Sequence, residues 1–328
     1  MALLPRTTSR ARYSARAPGW YRYGRALRRI LLICASVVLL IWLGYPSMMV
    51  YLTLHPARHP SQTDPRSLPF PVEPVAFPAV DGVTVRGWFG RAAADAPVIL
   101  LGHGYPANRD QMIPEAAFLY AAGYSVLLFD WRGWGASDGG MTTFGVHEVD
   151  DLSGAMNYLQ ARPDLRHPRF GGLGVSMGAG LMLLGAAHDH RLAAVVCDST
   201  YERIAPMFGQ WGGLGLTIWP YHLTFPPLAE PTANLLLDGR LADLDPLRQA
   251  AAVSPSALLL VHAAQDHNGL TPLAGAQRIY AAARAPKALW ISPRGDHATI
   301  YAANPVEYQQ QVLRFLATYL PAQGGAPR

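Results

Sequence analysis

The sequence predicts an α/β fold: a mostly parallel sheet with helices on both faces, preceded by one amino-terminal membrane helix. Three observations predict it. Short apolar runs alternate with helical patterns from about residue 83 onward, residues 30–50 are almost wholly apolar, and Gly174-Val175-Ser176-Met177-Gly178 joins one apolar run to a small-residue helical pattern. Strands covered on both faces read as continuous apolar runs, and in such sheets functional side chains gather at the carboxyl ends of the strands.

The amino terminus comes first. Arg6, Arg10, Arg12, Arg16, Arg22, Arg25, Arg28 and Arg29 all precede Ile30, and the first acidic residue is Asp64. Removing those eight charges from the formal +5 leaves −3 for the remainder, so the basicity belongs to the tail and nucleic-acid binding loses its main support. About 20 helical residues cross a hydrocarbon layer of roughly 30 Å, so residues 30–50 read as one transmembrane anchor. With eight arginines on its amino side, the positive-inside rule places residues 1–29 in the cytoplasm and everything after about residue 51 outside it. A cleaved signal peptide is the rival reading, opposed by the lack of a small-x-small site after Leu43. Residues 51–75, with prolines 56, 60, 65, 69, 71 and 74, read as an extended tether.

The folded domain is expected over residues 76–320, with a short tail at 321–328. An early antiparallel strand is expected at Val83–Phe89, followed by strands at Val98–Gly102, Tyr124–Asp130, Phe170–Val175, Leu192–Asp198, Ala257–His262 and Ala288–Ser292. Helical patterns fall at Pro114–Ala122, Val146–Ala161, Met177–His188, Pro272–Ala283 and Pro305–Tyr319. Between about 200 and 251 the alternation fails, and glycines, prolines and the aromatics Phe208, Trp211, Trp219, Tyr221 and Phe225 suggest a cap inserted over the site. Cys34 lies in the membrane stretch and Cys197 on a core strand, so no disulfide is expected between them. Neither cysteines nor histidines show metal-ligand spacing, and no metal or cofactor is expected.

The serine pentapeptide has the form of a nucleophile elbow, in which a tight strand-to-helix turn exposes the hydroxyl and glycines clear the space around it. A serine hydroxyl needs a histidine to take its proton, and the histidine needs a carboxylate to fix its tautomer. Asp266 and His297 follow the two last apolar runs, in the order nucleophile, acid, base. Asp198 is an alternative acid, and His262 and His267 are rivals to His297. For the oxyanion, the backbone N–H groups of Tyr105, after Leu101-Gly102-His103-Gly104, and of Met177 are the candidate donors. His103 reads as a loop brace rather than a second base. The glycine-rich turn from Asp130 to Gly139 reads as scaffold, since no Gly-Lys-Ser/Thr follows, and Gly171, Gly172 and Gly174 make no dinucleotide fingerprint.

On His103-Gly104, Asp130-x-Arg132-Gly133-x-Gly135-x-Ser137, Gly174-Val175-Ser176-Met177-Gly178, Asp266 and Gly295-Asp296-His297, the chain resembles the α/β-hydrolase superfamily. The likeness is to its serine aminopeptidase-like and monoglyceride-lipase-like branch, over roughly residues 76–320. The resemblance implies a serine hydrolase in which Ser176 is acylated, His297 shuttles protons and water resolves the acyl-enzyme. An ester, lipid-like ester or thioester substrate is the first expectation. A serine aminopeptidase or prolyl-oligopeptidase-like activity, acyl transfer, and a non-catalytic binding protein are the alternatives. Relatives that open epoxides or remove halides use an aspartate where this chain has Ser176.

Overall fold

The computed structural model describes residues 19–211, 217–218, 221–222 and 228–322. Residues up to Tyr45 and residues from Pro46 onward form two compact units. Helix α1 (Gly19–Leu54) carries the apolar stretch and contains Pro46. It is long and apolar enough to be a membrane span or a signal sequence.

The second unit is built on an eight-stranded sheet. Its strands are β1 (Glu73–Pro78), β2 (Thr84–Gly90), β3 (Val98–Gly102), β4 (Ser125–Asp130), β5 (Phe170–Val175), β6 (Leu192–Asp198), β9 (Ala257–Ala263) and β10 (Lys287–Ser292), in the order β1-β2-β4-β3-β5-β6-β9-β10. Strand β2 runs antiparallel to both β1 and β4, and the remaining neighbours are parallel, so β3, β4, β5, β6, β9 and β10 all deliver their carboxyl ends to one edge. Two apolar layers flank the sheet. One includes Leu100, Leu127 and Phe129 with Met182 of α4 (Met177–His188) and Leu152 of α3 (Glu148–Gln160); the other includes Ile99, Val126 and Leu173 with Leu119 of α2 (Ile113–Ala121) and Phe315 of α10 (Pro305–Tyr319). Side chains alternate faces along a strand, which is why Ile99 and Leu100 serve opposite layers.

After β6 come α5 (Ala205–Trp211), the two-residue strands β7 (Thr217–Ile218) and β8 (Tyr221–His222), α6 (Ala229–Leu236) and α7 (Pro246–Gln249). They stand where the cap was expected. Of its aromatics, Phe208 is fully buried edge-on to Phe144, with ring centres 5.8 Å apart. Trp219 and Phe225 lie outside the described residues. Helix α8 (Leu273–Ala282) links the last two strands, and α9 (Ile300–Ala303) precedes α10.

The stretch 51–75, expected as an extended proline-rich tether, packs in part on the folded unit. Val50 and Leu54 are buried in the core, and the Leu54 carbonyl accepts from Thr142 N at 2.8 Å. Arg58 Nη1 donates to the Ser137 carbonyl at 2.9 Å, Asn108 Nδ2 donates to the His59 carbonyl at 2.8 Å, and Phe70 is buried, stacked on Tyr120. Strand β1 begins inside this proline-rich stretch, with Pro74 and Pro78 on the sheet's edge, where a missing N–H leaves no ladder bond unmade. Counting prolines exposed their stiffness and hid the apolar residues between them.

Candidate active site

The elbow is built by exclusion. A Cβ at Gly174 would fall 2.2 Å from the Gly178 carbonyl oxygen, and one at Gly178 would fall 2.1 Å from the Gly102 carbonyl oxygen, so only glycine lets β3, β5 and α4 close up. Ser176 sits between them at φ 55°, ψ −115°, with its N–H donating to the Asp198 carbonyl at 2.8 Å. Ser199 and Ala298 also have positive φ, at 56° each. Three non-glycine residues in this region are strained, at a typical cost of about 1–3 kcal/mol apiece, which the surrounding packing must offset.

Ser176 Oγ lies 2.9 Å from His297 Nε2, and His297 Nδ1 lies 3.1 Å from Asp266 Oδ2. An ionised carboxylate only accepts, so Nδ1 carries the hydrogen and the Nε2 lone pair faces the serine hydroxyl. Asp266 is collected by its loop: Oδ1 accepts from Asn268 N at 2.8 Å, and Oδ2 accepts from the Thr271 hydroxyl at 3.0 Å. The same hydroxyl lies 2.9 Å from His297 Nδ1, so Thr271 touches both members of the pair. No sequence motif marks Thr271; its only signal is a position five residues after the acid.

Asp198, the alternative acid, does not bond His297. It is buried, accepts from Ser199 Oγ at 2.8 Å, and burial pushes its carboxyl up to about 6. Glu115, also buried and beside that like charge, is pushed up to about 8, chiefly by desolvation. His262 is a core residue whose Nε2 donates to the Thr271 carbonyl at 2.9 Å, and burial lowers its pKa. His267 is exposed and pairs with Asp296 at 2.8 Å, while Asp296 Oδ1 also accepts from His297 N at 2.7 Å. Of the three histidines, His297 alone meets the serine.

The two candidate oxyanion donors flank the nucleophile. Met177 opens α4, and a Cβ at Gly104, next to Tyr105, would fall 3.2 Å from Ser176 Cβ. Gln111 Oε1 holds Gly104 N at 2.7 Å. His103 is fully buried, with Nδ1 donating to the Gly104 carbonyl at 2.9 Å and Nε2 accepting from Trp131 N at 3.3 Å. The Asp130 turn is scaffold: its carboxylate accepts from Arg109 N and Ala136 N, each at 2.8 Å, and a Cβ at Gly135 would strike it at 2.2 Å.

A pocket of about 100 Å³ opens beside Ser176 and His297. A roomier groove of about 560 Å³ beside Gln160 and His167 holds none of these groups.

This arrangement of elbow, sheet order and strand-end loops can be set beside known proteins. A family model described as the alpha/beta hydrolase fold matches residues 97–212. The chain has the α/β-hydrolase fold. Within that fold, the Pyrococcus furiosus esterase Pf2001 superposes with a TM-score of 0.68 at 24% identity, covering 82% of this chain and 98% of that one. The Pyrococcus horikoshii acylaminoacyl peptidase superposes at 0.56 and 19% identity, over 80% of this chain and 44% of that one. In sequence, the uncharacterised protein YfhR of Escherichia coli K12 is 28% identical over 263 residues, 78% of this chain and 84% of that protein.

Proposed function

We propose that this protein is a membrane-anchored serine hydrolase that cleaves carboxylic esters, with lipid-like esters and thioesters within its reach. The observation that carries the reading is the 2.9 Å approach of Ser176 Oγ to His297 Nε2, whose other nitrogen is tied to Asp266. In this mechanism Ser176 Oγ attacks the ester carbonyl as its proton passes to Nε2. The backbone N–H groups of Tyr105 and Met177 receive the developing oxyanion. Collapse expels the alcohol, which takes the proton from Nε2 and leaves an acyl-Ser176. Water then attacks that ester with His297 again as base, releasing the acid and restoring the hydroxyl. Asp266 stabilises the imidazolium in both halves, and Thr271 steadies Asp266.

An ester is favoured over an amino-terminal peptide because the described residues lining the pocket include no carboxylate to hold a terminal ammonium. Acyl transfer to an alcohol or amine would use the same acyl-enzyme with a different second nucleophile. The anchor is favoured over a cleaved leader because Val50 and Leu54, at the carboxyl end of the apolar helix, are core residues of the folded unit. Arginines on its amino side support a domain outside the cytoplasm. The test is a panel of 4-nitrophenyl esters of increasing chain length, quenched in acid and mapped by mass spectrometry. Turnover with an acyl adduct on Ser176 is expected; turnover with Ser176 unmodified and dispensable would contradict the reading.

A further inference from the structure

Tyr105, Met177, Tyr201, Met207 and Leu270 give the pocket an apolar wall, yet among the described residues the Arg203 guanidinium lines it with them. Its placement is built rather than incidental. Along the non-helical stretch 201–204, Tyr201 and Arg203 line the pocket, while Glu202 between them pairs with Arg278 through bonds of 2.6 and 2.7 Å. The stretch is fixed along its length: Ile204 N donates to Asp245 Oδ1 at 3.0 Å, and Leu247 N donates to the Glu202 carbonyl at 3.1 Å.

Charge is left over on this wall. Arg203 Nε lies 3.6 Å from Asp245 Oδ2, but Arg248 Nε lies 3.7 Å from the same oxygen, so two guanidinium groups share one carboxylate. Beside Arg203, the Tyr201 hydroxyl is buried and has no hydrogen-bond partner among the described residues; it packs over Gly180, on the first turn after Ser176. A wall meant only for alkyl chains would gain nothing from a half-exposed cation.

We propose that this pocket selects esters carrying an anionic group, a carboxylate or a phosphate, which Arg203 receives. A guanidinium fork matches both anions in shape and charge. The inference deepens the ester-hydrolase reading and rests on it.

Two substrate pairs test it. One varies the acyl side, 4-nitrophenyl heptanoate against the 4-nitrophenyl half-ester of adipate; the other varies the alcohol side, 1-octanoylglycerol against 1-octanoylglycerol 3-phosphate. In at least one pair the anionic member should be favoured in kcat/KM by about tenfold. Arg203→Gln should bring that preference to within about twofold, chiefly by lowering kcat/KM for the anionic ester, and Arg203→Lys should retain part of it. The pair that responds tells which side of the ester the cation reads. A wild type that turns over neutral esters without charge preference, or an Arg203→Gln variant that lowers both members equally, would overturn the inference alone. Turnover of no ester by folded wild type would overturn the hydrolase reading and this inference with it.

Discussion

Two aspartates close neighbouring parallel strands, and one of them reaches His297 while the other does not. Asp198 is the last residue of β6, and its carbonyl is committed to Ser176 N. Its carboxyl is buried close to Glu115, and burial pushes both groups up, to about 6 and about 8. Asp266 stands three residues beyond β9, on a loop free to turn, and gathers Asn268 N, Thr271 Oγ1 and His297 Nδ1. One residue type at one sheet edge thus has two fates. A carboxylate that collects several donors can serve as a charge, whereas a buried one whose desolvation outweighs its hydroxyl donor is held toward its neutral form.

Substitution at Asp266 should break the site most severely. Asp266→Asn removes the acceptor that fixes the imidazole tautomer and should lower kcat on the order of 10⁴-fold, read from steady-state ester hydrolysis. On the other side of the comparison, Glu115 bears on stability. Its folded pKa of about 8 exceeds the ordinary 4.5, so the folded state holds a proton that the unfolded chain releases. That contribution is full below about pH 4.5 and fades as pH rises through about 8. Each tenfold difference in proton affinity between the two states is worth on the order of 1.4 kcal/mol, so Glu115→Gln should remove a pH dependence of a few kcal/mol. A melting temperature that varies less between about pH 5 and 9 than that of the wild type is the expected readout.

Smaller effects sharpen the contrast. Thr271→Val removes the hydroxyl shared by Asp266 and His297 and should cost about tenfold in kcat with KM little changed, while Thr271→Ser restores it. Asp198→Asn should change kcat by less than about threefold, because that side chain does not bond the base. A loss at Asp198 comparable to that at Asp266 would erase the distinction drawn between them.

Much of the site was legible in the chain because its motifs are local. The elbow glycines are dictated by contacts of 2.1–2.2 Å that no side chain survives, and strands β3, β5 and β6 fall on the apolar runs that suggested them. What escaped was non-local. Thr271, Gln111 and the Tyr201–Arg203 wall matter through partners brought by other loops, and no spacing along the chain announces them. The docked segment 55–72 escaped because its anchors, Asn108, Asp110 and Ser137, lie far along the sequence. The choice between Asp266 and Asp198 needed the loop geometry, since both follow apolar strands in acceptable order.

The central claim is an activated serine at position 176. Fluorophosphonate labelling of the detergent-solubilised protein, beside Ser176→Ala and His297→Ala variants whose folding is checked by melting curves, tests it directly. Labelling of the wild type that both substitutions abolish is the predicted result. A folded wild type that resists the probe, or a Ser176→Ala variant that still takes it, would contradict the account.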